Sequence, residues 1–118
     1  MLIKWRKSRI IRIREVMNMA QIYSINQLRD LVSPVAKQFG VKRVYVFGSY
    51  GRKEATAKSD LDLRIDAGNI RSLFELADFR LTLEERLAMP VDVVTSDIDD
   101  HRFLKTISPD EVLLYANS

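Results

Sequence analysis

The chain has 118 residues, 47% of them hydrophobic and 30% charged, enough for one soluble core but short of two. It contains no cysteine, which excludes disulfide frameworks and thiolate zinc sites. No apolar run approaches the ~20 residues needed to span a bilayer, so a membrane is not expected as a partner and a cytoplasmic location suits the composition.

The net charge of +3 is unevenly placed. Residues 1–16 carry six basic side chains (Lys4, Arg6, Lys7, Arg9, Arg12 and Arg14) against Glu15, while the other 102 residues hold 13 basic and 15 acidic ones. A basic arm could contact nucleic acid or anionic lipid, yet the remainder is slightly acidic. The segment also lacks the unbroken apolar stretch of a signal peptide. We read 1–18 as a basic extension, upstream of a true start at Met17 or Met19. Residues 19–118 are then the domain, and its charge argues against a nucleic-acid partner.

Ser24-Ile25-Asn26-Gln27 has the form of a capping box. Leu28, Leu31, Val32, Val35, Ala36 and Phe39 follow at helical spacing up to a stop at Gly40, with Pro34 expected to kink or divide the helix. Val41–Val46 is rich in β-branched and aromatic residues and predicts a buried strand. It runs into Phe47-Gly48-Ser49-Tyr50-Gly51-Arg52. A Gly there permits close approach to the backbone. The next residue, Ser49, sets a hydroxyl beside the free N–H groups of a short helix expected over Lys53–Ala55, an arrangement suited to phosphate.

Asp60-Leu61-Asp62-Leu63-Arg64-Ile65-Asp66 alternates strictly, with the leucines and isoleucine toward a core and the charges on the opposite face. Asp60 and Asp62 are then roughly 6.5–7 Å apart at Cα, a spacing from which two carboxylates can hold a pair of Mg²⁺ ions about 3.5–4 Å apart. Taken singly, each half is ordinary. A Gly-Ser pair is usually a turn, and an alternating strand usually has one solvated face. Arg52, three residues past Ser49, could reach a triphosphate or a carboxylate on a neighbouring chain. Arg64 could touch a phosphate or neutralise Asp66 or another acid. Lys53 and Lys58 read as solvated.

Helical spacing resumes from about Arg71 to Ala88, with Leu73, Leu76, Ala77, Leu83 and Leu87 as the buried stripe, Phe74, Phe79 and Leu81 flanking it, and the charges solvated. Val91-Asp92-Val93-Val94-Thr95 predicts a strand, in which an Asp buried without a partner would be costly. Ser96–His101 is acidic and holds the one histidine. It reads as a helix start capped by Ser96, Asp97 or Asp99 rather than as a metal site. Phe103, Leu104 and Ile107 are that helix's expected buried contacts, Ser108-Pro109 its end, and Glu111–Tyr115 a last short strand.

Gly48-Ser49, ten intervening residues and Asp60-x-Asp62 together resemble the signature of the DNA polymerase beta-type nucleotidyltransferase superfamily, especially its minimal nucleotidyltransferases. The resemblance runs over residues 19–116. It implies an α/β (α+β) palm-like fold, with a small mixed sheet of three or four strands and helices on one face. Asp92 matches the third carboxylate of such sites. By this resemblance Asp60, Asp62 and Asp92 are the catalytic and metal-binding residues, and Gly48, Ser49 and Arg52 the nucleotide-binding ones, with two Mg²⁺ and ATP as substrate. No second domain remains to bind an acceptor, so a partner chain is expected to supply it, as a hetero-oligomer. In the families resembled that partner is a helical HEPN toxin, neutralised by adenylylation of a tyrosine. A silent subunit that merely masks its toxin, or an antibiotic-type small-molecule transferase, are the alternatives.

Overall fold

The computed structural model describes residues 22–96 and 101–117. The basic extension 1–18, and Asp97 and Asp99 as candidate caps, lie outside them. Helix α1 (Ile25–Phe39) begins at the expected capping box: the Gln27 amide donates to Ser24 Oγ (3.1 Å) and the Ser24 amide to Gln27 Oε1 (2.8 Å). It ends at Gly40, which adopts the left-handed conformation. Pro34 does not divide it. The proline is exposed, while Val32, Val35 and Ala36 around it are buried. The helix therefore loses one hydrogen bond on its wet side, and core packing carries it through.

Strand β1 (Arg43–Phe47) leads directly into a single helical turn, α2 (Gly48–Gly51). The short helix thus forms on the Gly-Ser turn itself, not on Lys53–Ala55. Arg52 closes it, and Lys53, at φ 61°, turns the chain away. Strand β2 (Leu61–Asp66) follows, then α3 (Leu73–Leu87), β3 (Val91–Thr95), α4 (His101–Ile107), a 3₁₀ turn (Ser108–Asp110) and β4 (Val112–Ala116). The sheet order is β3-β2-β1-β4. β1 runs antiparallel to both β2 and β4, whereas β2 and β3 are parallel and joined across α3. This is the mixed four-stranded sheet that the alternation and crossover pattern predict.

The main core lies between one sheet face and the pair α1/α3. Leu28 and Val32 share one buried cluster with Val44, Val46, Leu63 and Ile65 of the strands, and the Phe39 and Phe79 rings pack edge-on at 5.6 Å between centroids. Three apolar expectations fail, at Leu73, Phe79 and Phe103. Leu73 and Phe74 are 77% and 86% exposed, and Phe79 sits in the core instead of flanking it. Leu73, Phe74 and Glu75 at the start of α3 are all exposed, and the stripe toward the core begins at the partly buried Leu76 and continues through Phe79, Leu83 and Leu87. On α4, Ile107 is buried and Leu104 partly so, but Phe103 is 41% exposed. Its ring meets Phe47 edge-on. Phe47 and Ile107 are both buried but stand outside the main core cluster. Among the described residues no helix is long and apolar enough to cross a membrane.

Candidate active site

Directly paired residues share a face of the sheet. The strand register therefore lays out the face opposite the core in rows. Phe47, Asp62 and Asp92 form one row across β1, β2 and β3; Tyr45, Arg64 and Val94 form the next; Arg43 and Asp66 the third. Two of the acids singled out in the sequence, 30 residues apart, are thus direct cross-strand neighbours. Asp60 lies just before β2 and is exposed, as is Asp92, while Asp62 is half-buried.

The turn after β1 comes up against the same row. Gly48 has φ +67°, and a Cβ on it would overlap Asp62 Oδ2, so backbone and carboxylate meet there without a side chain between them. Ser49 follows, half-buried, on the same helical turn. Arg52 closes that turn and pairs with Glu54 (3.0 Å) and Asp110 (3.3 Å). Both partners belong to this chain, where the sequence left a neighbouring chain open.

Electrostatically the cluster is short of positive charge. Asp60, Asp62 and Asp92 make no ion pair with the described residues. Burial pushes the Asp62 carboxyl above its usual range, the charges of Asp92 and Asp60 push it further, and Arg52 alone opposes them. Hard oxygen donors that repel one another fit a hard divalent cation. As they stand, no three acidic or histidine side chains among the described residues close into a metal-binding group. Mg²⁺ does not require such a cage, since it commonly takes one or two carboxylates and completes its shell with substrate phosphates and water.

Residues 29–118 match the family described as polymerase beta, nucleotidyltransferase. This chain belongs to that family. A protein of Methanocaldococcus jannaschii, provisionally named a protein adenylyltransferase, is 39% identical to it over 72 residues, 61% of this chain and 77% of the relative. A solved structure provisionally described as a minimal nucleotidyltransferase superposes with a TM-score of 0.67 at 30% identity, covering 79% of this chain and 98% of that one. A structure of a tri-AMPylated HEPN toxin of Shewanella oneidensis with its MNT antitoxin superposes at a TM-score of 0.55 and 16% identity, covering 75% of this chain and 73% of the matched one. That last likeness is one of fold.

The nucleotidyltransferase also contains polar contacts that its sequence did not disclose. Of the two roles open to Arg64 the structure shows the second: it neutralises Asp66 and another acid, Glu111, and pairs with none of Asp60, Asp62 and Asp92. Its guanidinium forks onto Glu111 and also reaches Asp66 and Ser96. Glu111 and Ser96 are 47 and 32 residues away from it, and only strand pairing brings them together. Glu84, expected on a solvated face, accepts the Val91 amide at 3.0 Å and so fastens the start of β3.

Proposed function

We propose that this nucleotidyltransferase transfers AMP from ATP to a hydroxyl of a partner protein, a tyrosine of a helical HEPN-type toxin, and acts as its antitoxin. The observation that carries the reading is the Asp62–Asp92 cross-strand pair beside the bare backbone of Gly48. The protein-adenylyltransferase name of the M. jannaschii relative and the AMPylated toxin in the Shewanella complex support the choice of donor and acceptor.

In this reading the phosphates of ATP lie against the Gly48 and Ser49 amides and the Ser49 hydroxyl. Arg52 adds a positive charge on the same side. Asp60, Asp62 and Asp92 would hold two Mg²⁺, which when bound supply charge neutralisation for the phosphates. The exposed Asp92 carboxylate takes the proton of the acceptor hydroxyl. The acceptor oxygen forms a bond to the α-phosphorus, the bond from that phosphorus to the bridging oxygen breaks, and pyrophosphate leaves. Gly48 lets the phosphate turn and Asp62 come together without an intervening side chain, which fixes donor and acid relative to each other.

The test is incubation with the helical partner, labelled ATP and Mg²⁺. The partner should gain one or more adenylyl units. Asp92→Asn should lower transfer by at least ~10²-fold, the usual loss of a positioned base, and still bind the partner. If Asp92→Asn neutralises the partner as well as the native chain does, and no label appears on the partner with either, then masking is the mechanism and the transferase reading fails.

A further inference from the structure

Arg64 stands one row from the Asp62–Asp92 pair, and its contacts span the sheet. Its guanidinium carbon lies 4.2 Å from the centroid of the Tyr45 ring on β1. Nε and Nη2 make a two-pronged contact with Glu111, the residue before β4. Nη1 donates to Asp66 on its own strand (3.3 Å) and to Ser96, the residue after β3. Ser96 donates in turn to Asp66 Oδ1 (2.6 Å), and its amide to the Ile65 carbonyl (3.0 Å). The Arg64 and Glu111 side chains are only 16% and 12% exposed, so this fork is largely shielded from water, unlike a surface pair.

The position of this network matters because, among the described residues, β3 is an edge strand paired with β2 alone. At the site end of that pairing, Asp62 faces Asp92. Like charges directly opposite across strands destabilise their pairing, and neither acid has an ion-pair partner among the described residues. The restraint acts at the other end of β3, where Arg64 and Asp66 close on Ser96. Glu111 anchors Arg64 from the opposite side, so the side chain braces the β4 side of the sheet against the end of β3. Its charge is committed to Glu111 and Asp66, which leaves the site acids unneutralised.

We infer that Arg64 is a positioning residue for the metal site: it holds β3 against the mutual repulsion of Asp62 and Asp92, so that the two carboxylates keep their register until a divalent cation joins them. The inference rests on the reading of Asp60, Asp62 and Asp92 as metal-holding acids.

The experiment is a titration of the full chain with Mn²⁺ alone, followed by water-proton relaxation, well below the melting temperature of every variant. Arg64→Met/Glu111→Gln removes the fork without leaving a lone shielded charge, and Arg64→Lys keeps the charge but not the fork. Ser96→Ala removes the anchor on β3 alone. The double variant should stay folded by circular dichroism and bind Mn²⁺ up to ~5-fold more weakly, the scale of the cross-strand repulsion it no longer resists. Arg64→Lys and Ser96→Ala should fall between it and the native chain. A merely structural role would lower the melting temperature and leave the Mn²⁺ affinity of the folded protein alone. Native affinity in the double variant, or in Ser96→Ala should the double variant not fold, overturns the inference, provided Asp62→Asn/Asp92→Asn has lost Mn²⁺. If Asp62→Asn/Asp92→Asn binds Mn²⁺ like the native chain, the metal reading itself falls and takes the inference with it.

Discussion

The Asp62 carboxylate occupies the space that a side chain on Gly48 would need. A turn after one strand and an acid on the next are thereby fitted to each other through one missing Cβ. Gly48→Ala should lose about 1–2 kcal/mol from the left-handed backbone alone, and it must also push Asp62 aside. We expect a lower melting temperature and a disproportionate loss of nucleotidyl transfer. Thermal melts alongside transfer assays check this, and native values in both would show that the turn does not abut the acid.

Holding acids together has a price in the metal-free protein. Asp62→Asn, nearly isosteric, relieves the repulsion from Asp92 and Asp60. It should therefore raise stability in chelator by up to about 1 kcal/mol, the scale of a cross-strand pair, while lowering transfer by orders of magnitude. Mg²⁺ should stabilise the native chain more than the variant. Equal melting temperatures of the two proteins in chelator would contradict the repulsion.

Asp66 has the opposite electrostatics. Burial would raise its carboxyl, but the hydrogen bonds from Ser96 and Arg43 and the charges of Arg64 and Arg43 outweigh it and hold the group below its usual range. A lowered folded-state value means the unfolded chain binds the proton first. This contribution is thus complete above the unfolded value, ~3.9, and is lost as pH falls through the folded one. Melting the native chain and Asp66→Asn from pH 7 to pH 2 should show the native advantage shrinking only below about pH 4. A constant difference across that range would remove Asp66 from the acid response.

Ala88 ends α3 in the left-handed conformation at φ 57°. Such a position favours glycine, and the gain is offset in part by glycine's freedom in the unfolded chain. Ala88→Gly should stabilise the protein by about 0.5–1 kcal/mol, with transfer unchanged. A fall in melting temperature would refute it.

The parts of the fold that repeat locally were legible in the sequence. The capping box at Ser24, the alternation from Asp60 to Asp66 and the stop at Gly40 each depend on a few neighbouring residues, and all appear where expected. Phe79 and Leu73 changed places because period alone does not say where a helix meets its neighbour. The pairing of Asp62 with Asp92 could be anticipated from the superfamily's motif, but their register depends on how two distant strands align. The Glu111 and Ser96 contacts of Arg64 left no trace at all, since a cross-sheet fork has no spacing rule.

Among the described residues the row of Phe47, Asp62 and Asp92 ends at a rim, because β3 has a neighbour on one flank only. A deep cleft sorts molecules by bulk, whereas an acid on an exposed edge strand sets no such limit. If Asp92 acts on the acceptor as proposed, a hydroxyl on a protruding part of a large folded protein can come to it as readily as one on a small molecule, and a hydroxyl recessed in a pocket cannot. Under the proposed function, selection at this rim is therefore by the contour of the incoming surface and not by its size.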